Sequence, residues 1–249
     1  MTAVLASLTM CISFAAGPHT AHAGSTHDPL MKPAEQTFPD AALGAKLFDI
    51  VNTGQRLVVA GERGHIFFSD DNGAAWTQAE VPVSITLTAL AFPVPDIGWA
   101  VGHDGVILKT TDGGKSWQLQ MDGNQVNKIL SKQIRNLIQV KKTTGEGIEI
   151  GDLEYFLQDA ESKLEDGPAR HFMDVWFKNE TRGFAIGAYG LIFTTQDGGN
   201  TWVSIFDRLD NIDAYHYYGI TRAGASLFIA GEVGMLFRSD DDGQSWTCL

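Results

Sequence analysis

Four aspartates stand in one repeated pattern, and their carboxylates are the first groups in this sequence that could carry out chemistry. Each aspartate follows a Ser or Thr by two residues and precedes a Gly by two and a Trp by five. A carboxylate beside a hydroxyl could serve as a general acid or base, or as a metal ligand. Four identical sets cannot all belong to one active site, however, so we predict that these carboxylates stabilise the fold. The four sets are Ser69, Asp71, Gly73 and Trp76; Thr110, Asp112, Gly114 and Trp117; Thr195, Asp197, Gly199 and Trp202; and Ser239, Asp241, Gly243 and Trp246.

The same pattern is typical of a tight hairpin between the third and fourth strands of a sheet. Backbone N–H groups in such a turn have no partner in the β-ladder, and the Ser/Thr hydroxyl and the Asp carboxylate can accept them locally. The Gly supplies a backbone angle that other residues resist. We expect the Trp to pack its large ring against a neighbouring sheet.

Each pattern ends a longer unit with the order Gly-x-x-Gly-x-(Ile/Leu)-(Phe/Leu)-x-(Ser/Thr)-x-Asp-x-Gly-x-x-Trp, found at 61–76, 102–117, 187–202 and 231–246. The four tryptophans are 41, 85 and 44 residues apart, and the two shorter steps have the length of one four-stranded propeller blade. Short β-rich apolar runs separated by Gly and Asn/Asp turns accompany every unit. We therefore predict an all-β fold, a β-propeller of four-stranded antiparallel blades over residues 40–249.

The repeats resemble the Asp-box, or bacterial neuraminidase repeat. The leading Gly-x-x-Gly and the runs "GWAVG" (98–102) and "GFAIG" (183–187) resemble more specifically the photosystem II stability and assembly factor family, which also occurs in non-photosynthetic bacteria. The resemblance implies a non-enzymatic scaffold that binds proteins and assists assembly of a membrane-associated complex, either photosystem II or another envelope complex. It also implies a propeller of about seven blades. The four repeats are then part of a larger propeller, or a smaller arc closed by partner chains.

An insertion separates the second and third repeats, because the step from Trp117 to Trp202 holds roughly 44 residues more than one blade. Apolar residues recur there at helical spacing in two segments, which predicts a helical hairpin at 124–167. Asp152 is the predicted N-cap of the second helix, and Gly167-Pro168 its end. The two stripes consist of Val126, Ile129, Leu130, Gln133, Leu137 and Ile138, and of Leu153, Phe156, Leu157, Ala160 and Leu164.

The outer side of this hairpin is predicted to carry a basic cluster on an otherwise acidic protein. The hairpin either shields a blade edge or docks a partner, and the sequence leaves both hypotheses open. A basic surface on an acidic protein is suited to steering an acidic partner. Because the insertion joins a fourth strand to a first strand, we expect it to project from the end opposite all four Asp boxes. The cluster consists of Lys128, Lys132, Arg135, Lys141 and Lys142.

The N-terminal residues 1–23 have the features of a secretory signal peptide, an apolar run too short to span a bilayer followed by Ala-His-Ala. They predict export, with a mature chain starting at Gly24, to the periplasm or, in a photosynthetic source, to the thylakoid lumen. Cys11 raises the alternative of a lipoprotein, but Met10 before it is bulkier than the small residue which that site needs. Three prolines and little apolar content predict a flexible tether at 24–39.

The formal net charge of −12 disfavours binding to nucleic acid or to an anionic membrane surface, so any membrane association is expected to be peripheral. The histidines lack metal-ligand spacing, and no Gly-rich phosphate loop opens a helix. We therefore expect no cofactor, metal or small-molecule substrate. The alternative is a sialidase-like or other glycoside hydrolase on an Asp-box propeller, which would need converging arginines or a carboxylate pair. Arginines of the repeats stand at different offsets, against that alternative.

Overall fold

The structure of the protein is a computed structural model, described over residues 31–36 and 44–249. It contains four four-stranded antiparallel sheets, each built from consecutive strands in chain order. The predicted all-β propeller architecture with one helical hairpin is thereby confirmed. The predicted signal peptide, the lipoprotein alternative and residues 24–30 and 37–39 of the predicted tether lie outside the described residues.

Each sheet is the meander of one repeat. The first contains β1 (Leu47–Asn52), β2 (Leu57–Gly61), β3 (Ile66–Ser69) and β4 (Thr77–Gln78). The second contains β5 (Leu87–Val94), β6 (Ile97–Gly102), β7 (Ile107–Thr110) and β8 (Gln118–Met121). The third contains β9 (Phe172–Phe177), β10 (Gly183–Gly187), β11 (Ile192–Thr195) and β12 (Val203–Ser204). The fourth contains β13 (Tyr217–Ala223), β14 (Ser226–Gly231), β15 (Leu236–Ser239) and β16 (Thr247–Cys248).

The first strands of successive sheets lie side by side in the order β1, β5, β9 and β13, so the sheets follow one another as blades. Between neighbouring first strands, one hydrogen bond that involves a side chain crosses each boundary between two sheets, here called a seam. These bonds run from Leu90 N to Asp49 Oδ2 (2.7 Å), from Thr88 Oγ1 to Phe172 O (2.8 Å) and from Ile220 N to Asp174 Oδ2 (2.8 Å). Ala89 stands in the second sheet where Asp49 and Asp174 stand in theirs, which is why that seam uses a threonine instead.

The Gly-x-x-Gly turn joins the second strand of each sheet to the third, and it packs on the residue before the first strand. In the second sheet, a Cβ on Gly102 would lie 2.1 Å from Thr86 O. That carbonyl oxygen accepts the N–H of His103 at 2.9 Å. The equivalent Cβ positions on Gly61, Gly187 and Gly231 lie 2.3, 2.0 and 2.6 Å from backbone carbonyl oxygens. The first glycine of the motif therefore permits a close backbone approach that a side chain would block.

Apolar side chains fill the three seams, one cluster for each. Between the second and third sheets, the fully buried ring of Trp99 stacks on Phe177, with ring centroids 3.5 Å apart and planes at 9°. This middle cluster also takes in buried residues of the helices, including Val126, Leu130 and Leu153. The helical insertion is thus part of the core.

Two helices form the insertion, α1 (Gly123–Thr144) and α2 (Ile150–Asp166). Asp122 caps α1 in a capping box, accepting the N–H of Gln125 while the Gln125 side chain accepts the N–H of Asp122. The prediction that Asp152 caps α2 is wrong: the N-cap is Glu149, and Asp152 lies in the first turn. A carboxylate in the first turn gives the same sequence signal, because it too favours a helix N-terminus.

Residues 31–36 lie against the end of the first sheet and the segment that follows it. Ala34 is buried and its N–H donates to Val81 O at 2.9 Å. Ser84 Oγ lies 3.1 Å from Lys32 O, its acceptor. This part of the predicted tether is therefore held in place, because its backbone finds partners that composition alone does not reveal.

Candidate functional site

Each Asp-box carboxylate accepts local hydrogen bonds from its own turn. In the second box, Thr110 Oγ1 donates to Asp112 Oδ1 at 2.8 Å and accepts the N–H of Gly114 at 2.9 Å. The N–H groups of Lys115 and Ser116 both donate to Asp112 Oδ1 at 3.0 Å, and Ser116 Oγ donates to Asp112 Oδ2 at 2.6 Å. Both carboxylate oxygens are thus engaged in holding the turn.

The third and fourth boxes repeat this geometry, and the first box has a weaker version. Thr201 and Ser245 donate their hydroxyls to Asp197 and Asp241 at 2.6 Å, but Ala75 stands at that position in the first box. The hydrogen bond from Ser245 is the largest of those that lower the pKa of Asp241 to about 2. The box carboxylates are therefore ionised at neutral pH, and their hydrogen bonds are charge-assisted.

The box tryptophans lie in the seams. The ring of Trp246 meets Phe184 of the preceding sheet edge to face, with centroids 6.2 Å apart and planes at 90°. Trp117 is 4% exposed and belongs to the cluster between the first and second sheets, with Val58. Trp202 is also buried, whereas Trp76 of the first repeat is only half-buried. The rings of Trp117, Trp202 and Trp246 thus pack toward the preceding sheet, whereas no sheet precedes that of Trp76 within the described residues.

Cations of one sheet hold the box of the next. Arg56 donates to Gly113 O at 3.2 Å and Lys109 to Gly198 O at 2.9 Å. Lys178 contacts Asp242 Oδ2 at 2.7 Å. The boxes therefore sit on successive sheets, and the structure does not bring their carboxylates together into one site.

The arm, defined here as α1, α2 and the connecting residues 145–149, leaves the propeller at the Gly-x-x-Gly end. A Cβ on Gly123 at the start of α1 would lie 2.4 Å from Asp104 O in the turn after β6. These turns follow the second strands, whereas the Asp boxes follow the third. The arm therefore projects from the end opposite the boxes, where the insertion point predicts it.

The predicted basic cluster is split in the folded arm. Lys128, Lys132 and Lys142 are exposed on α1. Arg135 is also exposed but pairs with Glu161 of α2. Lys141 corrects the prediction, since its side chain is 14% exposed and contacts Glu149 Oε1 at 2.7 Å and Gly147 O at 3.2 Å. Helical spacing places Lys141 on the side that faces the turn into α2.

A pair of histidines lies at the base of the arm. The rings of His103 and His171 have centroids 4.3 Å apart, and His171 Nδ1 accepts the N–H of Asp104 at 3.3 Å. Burial, followed by the charges of His103 and His216, lowers the pKa of His171. His216 serves the next turn in the same way, accepting the N–H of Tyr189 at 2.9 Å. His171 and His216 thus act as hydrogen-bond acceptors for backbone turns.

A groove runs between the arm and the segment 205–217 that joins the third and fourth sheets. It consists of three adjoining clefts, each partly open to solvent. The first two share Phe156, Phe206 and Asn211, and the last two share Ile148. Sequence reasoning missed this arm groove, because its walls come from three separate segments. A signal that could have pointed to it is the occurrence of Ile148 and Ile212 in otherwise polar connections.

The described residues contain neither a cluster of metal ligands nor a membrane-spanning helix. No group of three or more His, Cys, Asp or Glu side chains among them is placed to hold a metal ion. Over residues 31–36 and 44–249, no helix is both long and apolar enough to cross a bilayer. Arg170 in the arm groove pairs with Asp159, and Arg238 lines a different cleft.

Comparison with known proteins shows one family. A family model described as photosynthesis system II assembly factor YCF48 matches residues 69–161 and 158–249. The photosystem II assembly lipoprotein Ycf48 of Synechococcus sp. (strain CC9902) is 35% identical over 77 residues, which are 31% of this chain and 23% of the relative. The chloroplastic photosystem II stability/assembly factor HCF136 of Guillardia theta is 38% identical over 52 residues, 20% of this chain and 13% of the relative. The match thus spans less than a quarter of these relatives.

Two solved structures show the same fold. YCF48 from Cyanidioschyzon merolae superposes with a TM-score of 0.50 at 14% identity, covering 82% of this chain and 56% of that one. An ancestral GH74 enzyme superposes with a TM-score of 0.52 at 13% identity, covering 82% of this chain and 25% of the enzyme. At such identities the likeness concerns the fold, which an assembly factor and an enzyme share here.

Proposed function

Since this chain belongs to the family of the photosynthesis system II assembly factor YCF48, we propose that it is an exported, non-enzymatic propeller that binds proteins during assembly of a membrane-associated complex. The observation that carries the proposal is the family match, which covers all four Asp boxes, both helices of the arm and the fourth sheet. In a photosynthetic source the complex is photosystem II and the location the thylakoid lumen. In another bacterium it is a different envelope complex, reached from the periplasm.

The chemistry of the boxes supports a non-enzymatic role. A catalytic carboxylate needs an oxygen free to exchange a proton or attack a substrate. In the second, third and fourth boxes, both oxygens of the aspartate accept hydrogen bonds within the turn. Their lowered pKa also keeps them ionised, which suits a structural acceptor. We propose that the protein takes no cofactor and no small-molecule substrate.

A glycoside hydrolase remains the competing function, because an ancestral GH74 enzyme shares the fold. Such an enzyme needs two carboxyl groups on either side of one glycosidic bond, within about 5–10 Å of each other. The box aspartates lie on four successive sheets and hold four separate turns, so none of their pairs meets this need. A hydrolase would have to use carboxylates outside the repeated pattern.

We propose that the arm docks the partner, with Lys128, Lys132 and Lys142 steering it. These three exposed cations stand on an acidic protein, and charge complementarity of this kind raises association rates. Their counterparts Arg135 and Lys141 instead hold α1 to the rest of the arm. The arm also covers part of the sheets, because its own residues Val126 and Leu130 are buried.

The test is capture of envelope proteins by the intact chain and by a chain in which a short Gly-Ser turn replaces residues 124–167. Circular dichroism and thermal unfolding first establish that the trimmed chain folds. We expect the trimmed chain to lose the captured partners and the triple variant Lys128→Ala, Lys132→Ala, Lys142→Ala to bind them more slowly at low salt. Equal capture by a folded trimmed chain would show that the arm is only a cover.

A further inference from the structure

We infer that the arm groove binds a segment of a partner protein that is apolar along one side and rich in Lys or Arg along the other. The inference rests on the proposed function and names the surface and the chemistry of the partner. It differs from steering by the exposed lysines, which would favour an acidic surface on the partner.

The floor of the arm groove is apolar and partly open to solvent. Phe156 of α2 and Phe206 meet edge to face there, with ring centroids 6.0 Å apart and planes at 81°. Val140 and Ile212 line the arm groove, and yet their side chains are 50% and 40% exposed. A concave surface with exposed apolar side chains is where proteins bind partners, whereas scattered single residues are ordinary surface.

The charge along this floor is negative. Glu146, Asp207 and Asp210 line the clefts and all three are exposed. Among the lining residues of the three clefts, Arg170 alone is a cation, and Asp159 neutralises it in an ion pair. An apolar floor with carboxylates along it is complementary to a segment that alternates apolar and basic faces.

The walls are held in place by specific contacts, so the groove exists before a partner arrives. Gln133 Nε2 of α1 donates to Asp207 Oδ1 at 2.8 Å, which ties the arm to the facing wall. Asn211 holds that wall in turn, donating to Tyr215 O and accepting Tyr215 N–H, both at 2.9 Å. A preformed site avoids part of the entropy cost of ordering loops on binding.

Arg170 adds a polar anchor at one end. Its side chain is 9% exposed, and its Nε is buried without a hydrogen-bond partner among the described residues. A buried donor left unpaired is costly, so a carbonyl oxygen of a bound segment would stabilise the complex there.

The arm groove and the exposed lysines are distinct surfaces of one helix. At about 100° per residue, Gln133, Leu137 and Val140 share one side of α1, and Lys128 and Lys132 share another. The two surfaces carry opposite charge. A basic amphipathic segment is therefore attracted to the groove and repelled by the lysine side, which fixes where it docks.

The experiment measures fluorescence anisotropy of a labelled synthetic peptide of Leu and Lys, arranged at helical spacing, on titration with the full chain. A peptide with Glu in place of Lys is the control ligand. The double variant Glu146→Lys/Asp210→Lys reverses charge in the groove; neither side chain has a hydrogen-bond partner within the described structure, so folding should be unaffected. The matched control is Glu154→Lys/Glu165→Lys, which makes the same charge change on the exposed side of α2.

We expect the Lys peptide to bind at least about tenfold more tightly than the Glu peptide, and the groove variant to lose about tenfold in affinity while the control variant keeps it. Adding Val140→Ser and Ile212→Ser should weaken the remaining binding at high salt. Equal loss in both charge variants would show non-specific attraction and overturn the inference, as would unchanged binding by the groove variant.

Capture from envelope extracts separates this inference from the proposed function. If the groove variant captures every partner that the intact chain captures, the groove is not the docking surface, and the proposed function stands. If the intact chain captures nothing while the peptide results hold, the groove is a binding site and the assembly role fails.

Discussion

The two ends of the propeller use carboxylates in opposite ways. At the Asp-box end, the aspartates are exposed or half-buried and surrounded by local donors, and the pKa of Asp241 falls to about 2. Toward the arm end, Asp174 lies in the seam between the third and fourth sheets, and burial raises its pKa to about 6 although two backbone N–H groups donate to it. Repetition explains the contrast: four identical turns need four identical acceptors, whereas a seam residue meets a different environment in each sheet.

The same contrast extends to function. Contacts within each Asp box are short in sequence, from two to four residues apart, and recur in every repeat. Those around the arm join distant segments, such as Gln133 with Asp207, and occur once. A surface that occurs once can be specialised for a partner without disturbing the repeated scaffold. The predictions below test this division between supporting and specialised ends.

The largest expected effect is that of Trp117→Ala. Because the ring is buried in the seam, its removal leaves a cavity, and the free energy of unfolding should fall by roughly 3–5 kcal/mol. Trp76→Ala is the matched control, since that ring is only half-buried, and it should lose less than half as much. Urea unfolding followed by circular dichroism measures both. Equal losses would show that Trp76 has a partner sheet in solution.

Asp174→Asn should remove a pH dependence of stability between about pH 4 and 6. The folded pKa of Asp174, about 6, lies above its ordinary value of 3.8, so the folded chain binds the extra proton in this window. The stability that this group contributes is greatest below that window and declines as the pH rises through it. The difference between parent and variant in the unfolding midpoint, measured across the window, isolates the effect. A flat difference would mean that Asp174 stays ionised.

Asp112→Ala should lower the free energy of unfolding by about 1 kcal/mol, the usual value of a local hydrogen-bonded acceptor. Asp71→Ala should cost less, because the first box lacks the hydroxyl donor that Ser116 supplies in the second. Binding of envelope partners should be unchanged in both variants. Loss of binding without loss of stability would show that the Asp boxes take part in partner binding and do not only support the fold.

The smallest effect is expected for Ser245→Ala, which removes the hydroxyl that most lowers the pKa of Asp241. The folded pKa of Asp241 should rise from about 2 toward its ordinary value, and NMR titration of the carboxyl carbon measures it. A carboxyl whose pKa is lowered by folding stabilises the protein at pH values above its ordinary pKa. That stabilisation is lost as the pH falls through the folded pKa. The variant should therefore retain less of this stabilisation at neutral pH. An unchanged pKa would assign the shift to the backbone donors instead.

The repeated part of this protein could be predicted from the sequence, because local chemistry is sufficient to specify it. Ser239, Asp241 and Gly243 lie within five residues and form their turn from their own backbone, so their spacing predicts the hairpin. Helical periodicity likewise predicted the arm. Its caps were less predictable, since Glu149 and Asp152 both suit a helix start.

Features that depend on contacts between distant segments become visible only in the folded structure. Lys141 faces the turn into α2 because the hairpin closes over it, and the sequence pattern alone did not distinguish this side from the outer one. The first glycine of each Gly-x-x-Gly is needed for a carbonyl that lies about fifteen residues earlier in the chain, which becomes visible only when the strands pair. The arm groove is built from α1, α2 and the segment after the third sheet, and its shape follows from packing, for which no local pattern in sequence exists.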